Sequence, residues 1–480
     1  MGIPTIGTPT EGVAVVEPDR AAAGTLPAVP WRVWRLAIVI VLGSFMSTLD
    51  ASLVNVGLDT VRRSLHASLT SAQWLSSGYV VAFAAALPLN AWLSRRFGPG
   101  RLWLAALVGF VAASALCAAA PTLPALIALR VVQGLTGAML VPTGQTIIGQ
   151  ATGPHRMGRV LNITKIVVIL APAIGPTIGG LLIDGLGWRW LFLVNVPVGV
   201  LAAALGHRIV PRGTGGPGRR FDALGYALIA TGLPLLLYGI AALGRSGGGT
   251  DPVALGTVLC GAVALALFVR RSHTVAHPLL DLRLFRNRIY AAATTSVFFT
   301  GAALLGTLIL LPLYYQILRG AGVVDTGLLL LAVGGGTAIS MPFGGILTDR
   351  IGGGRISLAG LALTTASILP FGYLPADTTL VLAEMLQAVT GFGLGLAAMP
   401  ALSVAYRTVP RDRLPDATAE ANILQRIGGS TGTALLVALL ERGGDPTVDA
   451  FHTTFRWLAA TSTIALVLAG WLTVEEARRR

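Results

Sequence analysis

Charged residues are scarce in this chain of 480 residues, of which Asp, Glu, Lys and Arg make up 12%. Soluble domains carry about 25% charged residues, whereas 54% of this sequence is hydrophobic. Apolar runs of about 20 residues, the length that crosses a bilayer, recur throughout. Backbone groups inside a bilayer must pair internally, so these runs are predicted to be helices. The composition excludes an ordinary soluble enzyme and indicates an all-α polytopic membrane protein.

Cysteine is also rare, with only Cys117 and Cys260, each inside a predicted span. Two isolated cysteines provide neither a disulfide framework nor a metal site. The sequence lacks the Gly-rich loop ending in Gly-Lys-Ser/Thr that binds nucleotide phosphates, and it has no nucleophile triad. We therefore expect no enzymatic activity, no metal, no cofactor and no direct use of ATP, so that transport would draw on an ion gradient.

Fourteen spans are predicted, and their connections differ in charge. The spans lie at 36–56, 72–92, 102–120, 123–145, 160–182, 190–209, 222–243, 253–269, 289–311, 326–347, 356–374, 379–400, 420–440 and 452–473. Arginines concentrate in the even-numbered connections, such as Arg95, Arg96 and Arg101 in the second. Because basic loops stay in the cytoplasm, these connections and both termini are expected there. Topology thus explains the net charge of +14, and no nucleic-acid partner is expected.

The sequence repeats itself at an offset of 254 residues. Residues 91–101 align with 345–355, and residues 130–137 align with 384–391. Two homologous halves of a polytopic protein are typical of transporters that rock around a central site.

The repeat predicts the following organisation. We expect a disordered cytoplasmic tail over 1–30, a six-helix bundle over 31–210, a linker with two inserted transmembrane helices over 211–288, a second six-helix bundle over 289–473 and a cytoplasmic tail over 474–480.

Four motifs resemble those of the major facilitator superfamily, and most closely its fourteen-span drug:proton antiporter branch of multidrug efflux type. They are LDASLVNVG at 49–57, RVVQGLTG at 130–137, APAIGPTIGG at 171–180 and WRWLFLVNVPVG at 188–199. The resemblance covers roughly 31–475 and implies the major facilitator fold, with two pseudo-symmetric six-helix bundles and two extra central helices. It also implies efflux of small compounds.

The loop after span two departs from the pattern of that family. Ala91 and Arg95 stand where Gly and Asp are usual, whereas the second-half copy keeps both, as Gly345 and Asp349. We therefore expect gating to depend more on the second copy.

Ionisable residues inside spans are costly and are functional candidates by default. Asp50, deep in span one, is the first, because burial favours the neutral form of a carboxyl and makes it a reversible proton carrier. Arg130 in span four lies at matching depth and is expected to pair with Asp50, with Gln133 joining the same network. Glu384 is the repeat counterpart of Arg130 and is expected to bind a second proton or a cationic substrate. These assignments compete with purely structural ion pairs and interfacial positions.

Further residues are predicted to form the substrate cavity and the gate. The cavity candidates are Asn55, Gln133, Phe298, Phe299, Tyr314, Tyr315 and Gln316, and the gating candidates are Gly175, Pro176, Gly179, Gly345, Asp349, Arg350 and Arg355. Aromatic rings suit an amphipathic compound, and Gly-Pro pairs bend helices.

Three other charged residues are predicted to be structural. Lys165, the only lysine, would snorkel from span five to the cytoplasmic interface. Glu420 and Arg426 would be partners or interface anchors.

These features together predict a proton-coupled antiporter of the inner or plasma membrane, with both termini cytoplasmic. Its partners would be a small amphipathic substrate such as a drug, antibiotic or secondary metabolite, protons and the lipid bilayer, with a monomer as the functional unit. The alternatives are a proton symporter that imports a small metabolite and a non-transporting membrane receptor or scaffold.

Overall fold

The computed structural model describes residues 29–153, 156–213, 215–216, 220–245, 251–375, 378–440 and 447–479. Across these residues the chain is helical and contains no β-strand. The tail predicted over 1–30 lies outside them except for its last two residues, and so does the final residue of the tail over 474–480.

The first half of the chain forms eight helical segments. They are α1 (Trp31–Ser64), α2 (Leu69–Ala86), α3 (Leu89–Phe97), α4 (Pro99–Ala119), α5 (Leu123–Thr152), α6 (Met157–Leu186), α7 (Trp190–Leu193) and α8 (Asn195–Ile209).

Two helices and then six more follow. They are α9 (Ala223–Arg245) and α10 (Pro252–Thr274), and then α11 (Arg288–Leu313), α12 (Val323–Ile351), α13 (Gly353–Ile368), α14 (Leu380–Arg407), α15 (Leu414–Leu440) and α16 (Val448–Arg479).

Within the described residues, 12 helices are long and apolar enough to cross a membrane, and the pair α2 and α3 makes 13. α6, with 30 residues, is long enough to be the fourteenth. The span predicted as one piece at 72–92 is instead bent by 56° between α2 and α3. Pro88 lies in that break, and proline bends helices because it lacks a backbone donor and clashes with the preceding turn.

The helices of the two halves pack in the same pattern. In the first half, α5 contacts α2 and α4, while α1 contacts α6 and α8. In the second half, α14 contacts α12 and α13, while α11 contacts α15 and α16. The sequence repeat therefore corresponds to a repeat of helix contacts.

One turn shows the repeat at atomic detail. Gly98 and Gly352, which are related by the sequence offset, have φ angles of 89° and 102°. Only glycine adopts this region without strain. Each glycine is the C-cap of one helix and the N-cap of the next, which is α4 in the first half and α13 in the second.

The two bundles are joined at the end that carries the Arg-rich connections, called here the basic end. One hydrophobic core spans both bundles there and includes Met157 of the first and Leu414 of the second. At the opposite end the described residues form separate cores, one around Leu53 and Trp188 and another around Tyr314. The structure is therefore closed at the basic end.

The two additional helices pack against each other beside the bundles. α9 also contacts α2 of the first bundle and α15 of the second, so it lies across the seam between them. Arg271 of α10 donates a hydrogen bond to Asp222, just before α9, at 2.7 Å, which fixes the pair at its basic end.

Candidate functional site

A buried ion pair joins α1 and α5 inside the first bundle. The guanidinium of Arg130 donates a hydrogen bond to Oδ2 of Asp50 across 2.5 Å. The side chains are 1% and 0% exposed, respectively. Arg130 also donates from Nε to the carbonyl of Leu75 at 3.2 Å. A buried pair needs such added hydrogen bonds, because its desolvation otherwise outweighs its attraction.

Neutral polar side chains complete the surroundings of the Asp50 carboxylate. Its Oδ1 accepts hydrogen bonds from Gln133 at 3.3 Å and from Asn195 at 2.8 Å. Both amides also donate to Ser114 Oγ, each at 3.0 Å. Arg130 donates to the amide oxygen of Gln133 at 3.0 Å. Asp50 thus accepts bonds from three side chains, the arrangement that suits an ionised carboxylate.

Aromatic rings cover the guanidinium on the remaining sides. The Arg130 guanidinium carbon lies 4.3 Å from the centroid of the Tyr79 ring and 5.9 Å from that of Phe192. The Tyr79 hydroxyl donates to the carbonyl of Ser47 at 3.3 Å, which holds the ring in place. A cation over an aromatic face is stabilised by the ring quadrupole. The Arg130 guanidinium is therefore held between the Asp50 carboxylate and two aromatic rings.

Sequence reasoning found the charged members of this network and Gln133 but missed Asn195 and Ser114. Asn195 lies within the motif at 188–199, and its position inside an apolar span was a usable signal. Gln133, which is predicted to line the substrate cavity, is 0% exposed here and bonds within the first bundle.

Glu384 does not join this network. It lies near the start of α14 in the other bundle and is exposed. The described contacts of Asp50 and Arg130 are made within the first bundle.

Most of the predicted cavity aromatics are packed inside the second bundle. Tyr314 is 4% exposed and contacts Phe371, Phe451 and Phe455 with centroid distances of 5.7–6.0 Å. The ring of Tyr314, which is predicted to line the cavity, is enclosed by this aromatic cluster in the structure. Tyr315 is also fully buried, with its hydroxyl bonded to Gln387.

The other cavity candidates are dispersed. Phe298 and Phe299 are half-buried on α11, and Phe299 packs against a small apolar cluster of the second bundle. Gln316 is exposed in the turn after α11. Asn55 is exposed on α1 and accepts a hydrogen bond from Ser76 at 2.6 Å. The structure does not bring these residues to one place.

At the basic end, Asp349 lies beside arginines of two neighbouring helices. It accepts a hydrogen bond from Arg407 of α14 at 2.6 Å and lies 4.0 Å from Arg159 of α6, which belongs to the other bundle. Arg350 and Arg355 are exposed.

A second set of polar contacts crosses between the bundles nearby. Arg95 of α3 forms an ion pair with Asp416 of α15. Thr146 and Thr418 share a hydrogen bond of 2.8 Å, and Asn422 donates to Gln145 at 2.8 Å. We did not predict these partners, because each pair is separated by more than 270 residues.

The gating glycines lie at helix crossings. A Cβ on Gly345 would lie 2.7 Å from the Cα of Arg159 in the other bundle. A Cβ on Gly175 would lie 2.3 Å from Ser52 Oγ on α1, whereas one on Gly179 would make ordinary contacts with Leu53. Pro176 lies within α6, which continues through it to Leu186, and its side chain is outside the described residues.

Lys165 faces cavities between the bundles, which the sequence did not predict. It lines two adjoining cavities between the bundles, one against Ile40 and Gln145, the other against Thr337 and Gln425. Depth along α6 was a poor guide, because the face of the helix decides what a side chain contacts.

Glu420 and Arg426 are also in different surroundings from those expected. Glu420 is 3% exposed and accepts a hydrogen bond from Tyr290 at 2.8 Å. The Arg426 guanidinium carbon lies 4.0 Å from the ring centroid of Phe83 in the first bundle. The described contacts do not pair these two residues with each other.

Comparison with known proteins places these features in a family. The model described as Major Facilitator Superfamily matches residues 40–433. The chain is 35% identical over 427 residues to the multidrug resistance protein B homolog of Mycobacterium tuberculosis, covering 88% of this chain and 77% of that protein. It is 30% identical to the tetracenomycin C resistance and export protein of Streptomyces glaucescens, covering 89% and 80%.

A solved structure supports the fold. The proton:xylose symporter XylE matches with a TM-score of 0.63 at 14% identity, covering 91% of this chain and 95% of that one. At this identity the likeness concerns the fold alone.

Proposed function

The chain belongs to the major facilitator superfamily and is a multi-span transporter of small molecules rather than an enzyme, and we propose that it exports amphipathic compounds in exchange for protons. Two of its relatives are named for multidrug resistance and for tetracenomycin C resistance and export. Those names support efflux as the direction of transport and a drug or antibiotic as the cargo.

The observation that carries the proton coupling is the Asp50–Arg130 pair. A carboxylate at 0% exposure, bonded to three side chains of its own bundle, is the group whose protonation would most disturb its surroundings. Protonation of Asp50 would remove the counter-charge of Arg130, which is expensive in a dry interior. The bundle would relieve this cost by rearranging, so that the charge state of Asp50 biases the conformational equilibrium.

The direction of the cycle follows from topology. Positive-inside bias places the basic end in the cytoplasm of the cell, which supports reading the closed end as the cytoplasmic gate. In this state the site would communicate with the outside. A proton from outside would neutralise Asp50, the bundles would rock, and cargo would load from the cytoplasm as the proton leaves.

Transport in proteoliposomes tests the proposal. With an imposed pH gradient, the wild-type protein should drive uphill movement of an amphipathic dye in the direction opposite to the protons. Asp50→Asn cannot exchange a proton, so it should lose uphill transport while still allowing exchange of dye down its own gradient. Asp222→Asn, at the α9–α10 pair, is the matched control and should keep uphill transport.

Unchanged uphill transport by Asp50→Asn would remove this carboxyl from the mechanism. Movement of dye in the same direction as protons would instead identify a symporter, and no flux of any kind would favour a receptor or scaffold.

A further inference from the structure

A lysine that is not part of the Asp50–Arg130 network faces the space between the two bundles. Lys165 lies on α6 of the first bundle but lines a cavity formed with Thr300, Thr337, Met399 and Gln425 of the second. It also lines the neighbouring cavity formed with helices of its own bundle. Its side chain therefore stands where the two halves meet, next to the residues that must separate when the bundles rock.

A second cation, Arg426, lies on the opposite bundle, beside a residue of this cavity. Arg426 follows Gln425, which shares a cavity with Lys165. It lies on the face of α15 that approaches the first bundle, because Thr418 and Asn422, two turns and one turn earlier, bond across the interface. It is exposed, with its guanidinium over the Phe83 ring of α2.

Neither cation is balanced by an acid in the described part of the chain. The ion pairs found there include neither Lys165 nor Arg426. No Asp or Glu lines either cavity. The neighbouring α6 side chains that the structure leaves undescribed, at 167–170, 172, 173 and 176, are all apolar or small in the sequence. The nearby acids are engaged elsewhere, Asp50 with Arg130 and Glu420 with Tyr290.

Two positive charges inside a membrane protein cost free energy unless a negative charge compensates them. Ionisable residues inside a membrane protein pair with one another or face a cavity in which they meet a substrate. Here Lys165 lines a space formed by methionine, leucine and small hydroxyl side chains, and Arg426, the residue after Gln425 of that lining, lies over the ring of Phe83. Such a space suits a molecule with an apolar body and a negative group.

We propose that Lys165 and Arg426 form an anion-selective subsite, and that the cargo class is acidic amphipathic compounds carrying a carboxylate or an ionised phenol. This inference rests on the proposed export function, and it names the chemistry of the compound exported. One anionic group would bridge the two bundles, since Lys165 belongs to the first and Arg426 to the second. Binding would thereby favour the arrangement in which both cations face the same molecule.

Equilibrium binding tests this subsite without any proton gradient. The purified full chain in lipid nanodiscs is titrated with fluorescein, an anion, and with tetramethylrhodamine methyl ester, a cation built on the same xanthene rings, and fluorescence polarisation is followed. The wild-type protein should bind fluorescein about tenfold or more tightly than the ester, because charge-assisted hydrogen bonds favour the anion.

Four variants separate charge from packing. Lys165→Gln and Arg426→Gln should each weaken fluorescein binding by about tenfold without weakening binding of the ester. Lys165→Arg keeps the charge and should retain fluorescein binding. This result would show that weaker binding in Lys165→Gln comes from the lost charge and not from misfolding. Arg456→Gln removes a cation that lies over Tyr373, away from these cavities, and should change neither affinity.

Equal or tighter binding of the ester by the wild type, absence of saturable fluorescein binding, or unchanged fluorescein affinity in both glutamine variants would overturn the subsite. The outcome is independent of proton coupling. If Asp50→Asn transports normally while fluorescein binding depends on Lys165 and Arg426, the subsite stands and the proton-antiport proposal fails.

Discussion

Asp50 accepts hydrogen bonds from side chains of two other helices, and Asn195 supplies the shorter of its two amide contacts, at 2.8 Å. We expect Asn195→Ala to lower proton-driven transport by about tenfold, since loss of a hydrogen bond to a charged group costs about 1.5–3 kcal/mol. The measurement is initial uphill flux in proteoliposomes across a range of external pH. The pH of half-maximal flux should also move, because Asn195 bonds to the group that exchanges the proton.

The control for this change is Asn162→Ala, which removes a buried asparagine whose amide bonds back to Gly158 of its own helix. It should leave the pH profile in place. An identical loss of flux with an unmoved profile in both variants would mean that Asn195 serves packing only.

Sequence alone predicted the ionisable residues of this site because charges are conspicuous inside apolar spans. Asn195 and Ser114 were not predicted, because neutral polar residues are common in membrane helices and do not stand out in the sequence as charged residues do. Lys165 was predicted to snorkel to the cytoplasmic interface, and its position in cavities between the bundles was not predicted. The position of a residue along a span indicates its depth in the membrane. Which neighbouring helix its side chain faces depends on how the helices pack.

Among the elements at the basic end, two ion pairs between the bundles are related by the repeat with reversed polarity. Arg95 and Asp349 occupy equivalent positions at the offset of 254 residues. Arg95 pairs with Asp416 of the second bundle, and Asp349 approaches Arg159 of the first. Arg95, which departs from the family motif, therefore has its acid on the opposite helix. The expectation that gating depends mainly on the second copy is replaced by a proposal that both copies contribute.

Charge reversal tests this arrangement. Arg95→Asp places two acids together at the closed end and should reduce transport at least tenfold, because breaking a buried pair costs about 3–5 kcal/mol. Adding Asp416→Arg restores opposite charges and should recover most of the flux. Flux by single and double variants is the measurement, and Arg96→Asp, at the exposed neighbouring position, is the control. A double variant no better than the single one would contradict a paired role.

Glycine at the α6–α12 crossing permits the closed state. Gly345→Ala would place a Cβ 2.7 Å from the Cα of Arg159, a backbone atom that cannot move aside cheaply. We expect this variant to open the basic end, seen as a greater distance between spin labels on α6 and α12. Gly180→Ala, where a Cβ would meet nothing within 4 Å, should leave the distance unchanged. No change at Gly345 would show that the crossing tolerates separation without opening.

At the scale of the whole molecule, the repeat and the length of the apolar runs predicted the helical membrane fold and the order of its spans. Matching contacts in the two halves follow from that repeat. The bend between α2 and α3 was not predicted, although Pro88 was visible, because proline can also be accommodated without a break, as Pro142 is inside α5. Contacts between the bundles could not be predicted, since they join residues hundreds of positions apart.

Orientation in the membrane is the remaining prediction at this scale. In a background with Cys117→Ser and Cys260→Ser, a cysteine at Arg156 should react with membrane-impermeant maleimide only after cells are opened, because even-numbered connections are expected in the cytoplasm. A cysteine at Thr447, in the last odd-numbered connection, should react in intact cells. The reverse pattern would invert the transport direction assigned above.

α9 touches α2 on one side and α15 on the other, so rocking cannot leave both of its contacts unchanged. In the proposed rocking cycle these contacts change between the two end states, and we expect the free energy that they contribute to change with them. We therefore expect the inserted pair α9 and α10 to favour one of the two end states. Substitutions of the apolar side chains of α9 should then change the turnover rate without changing the residues that bind cargo or exchange the proton.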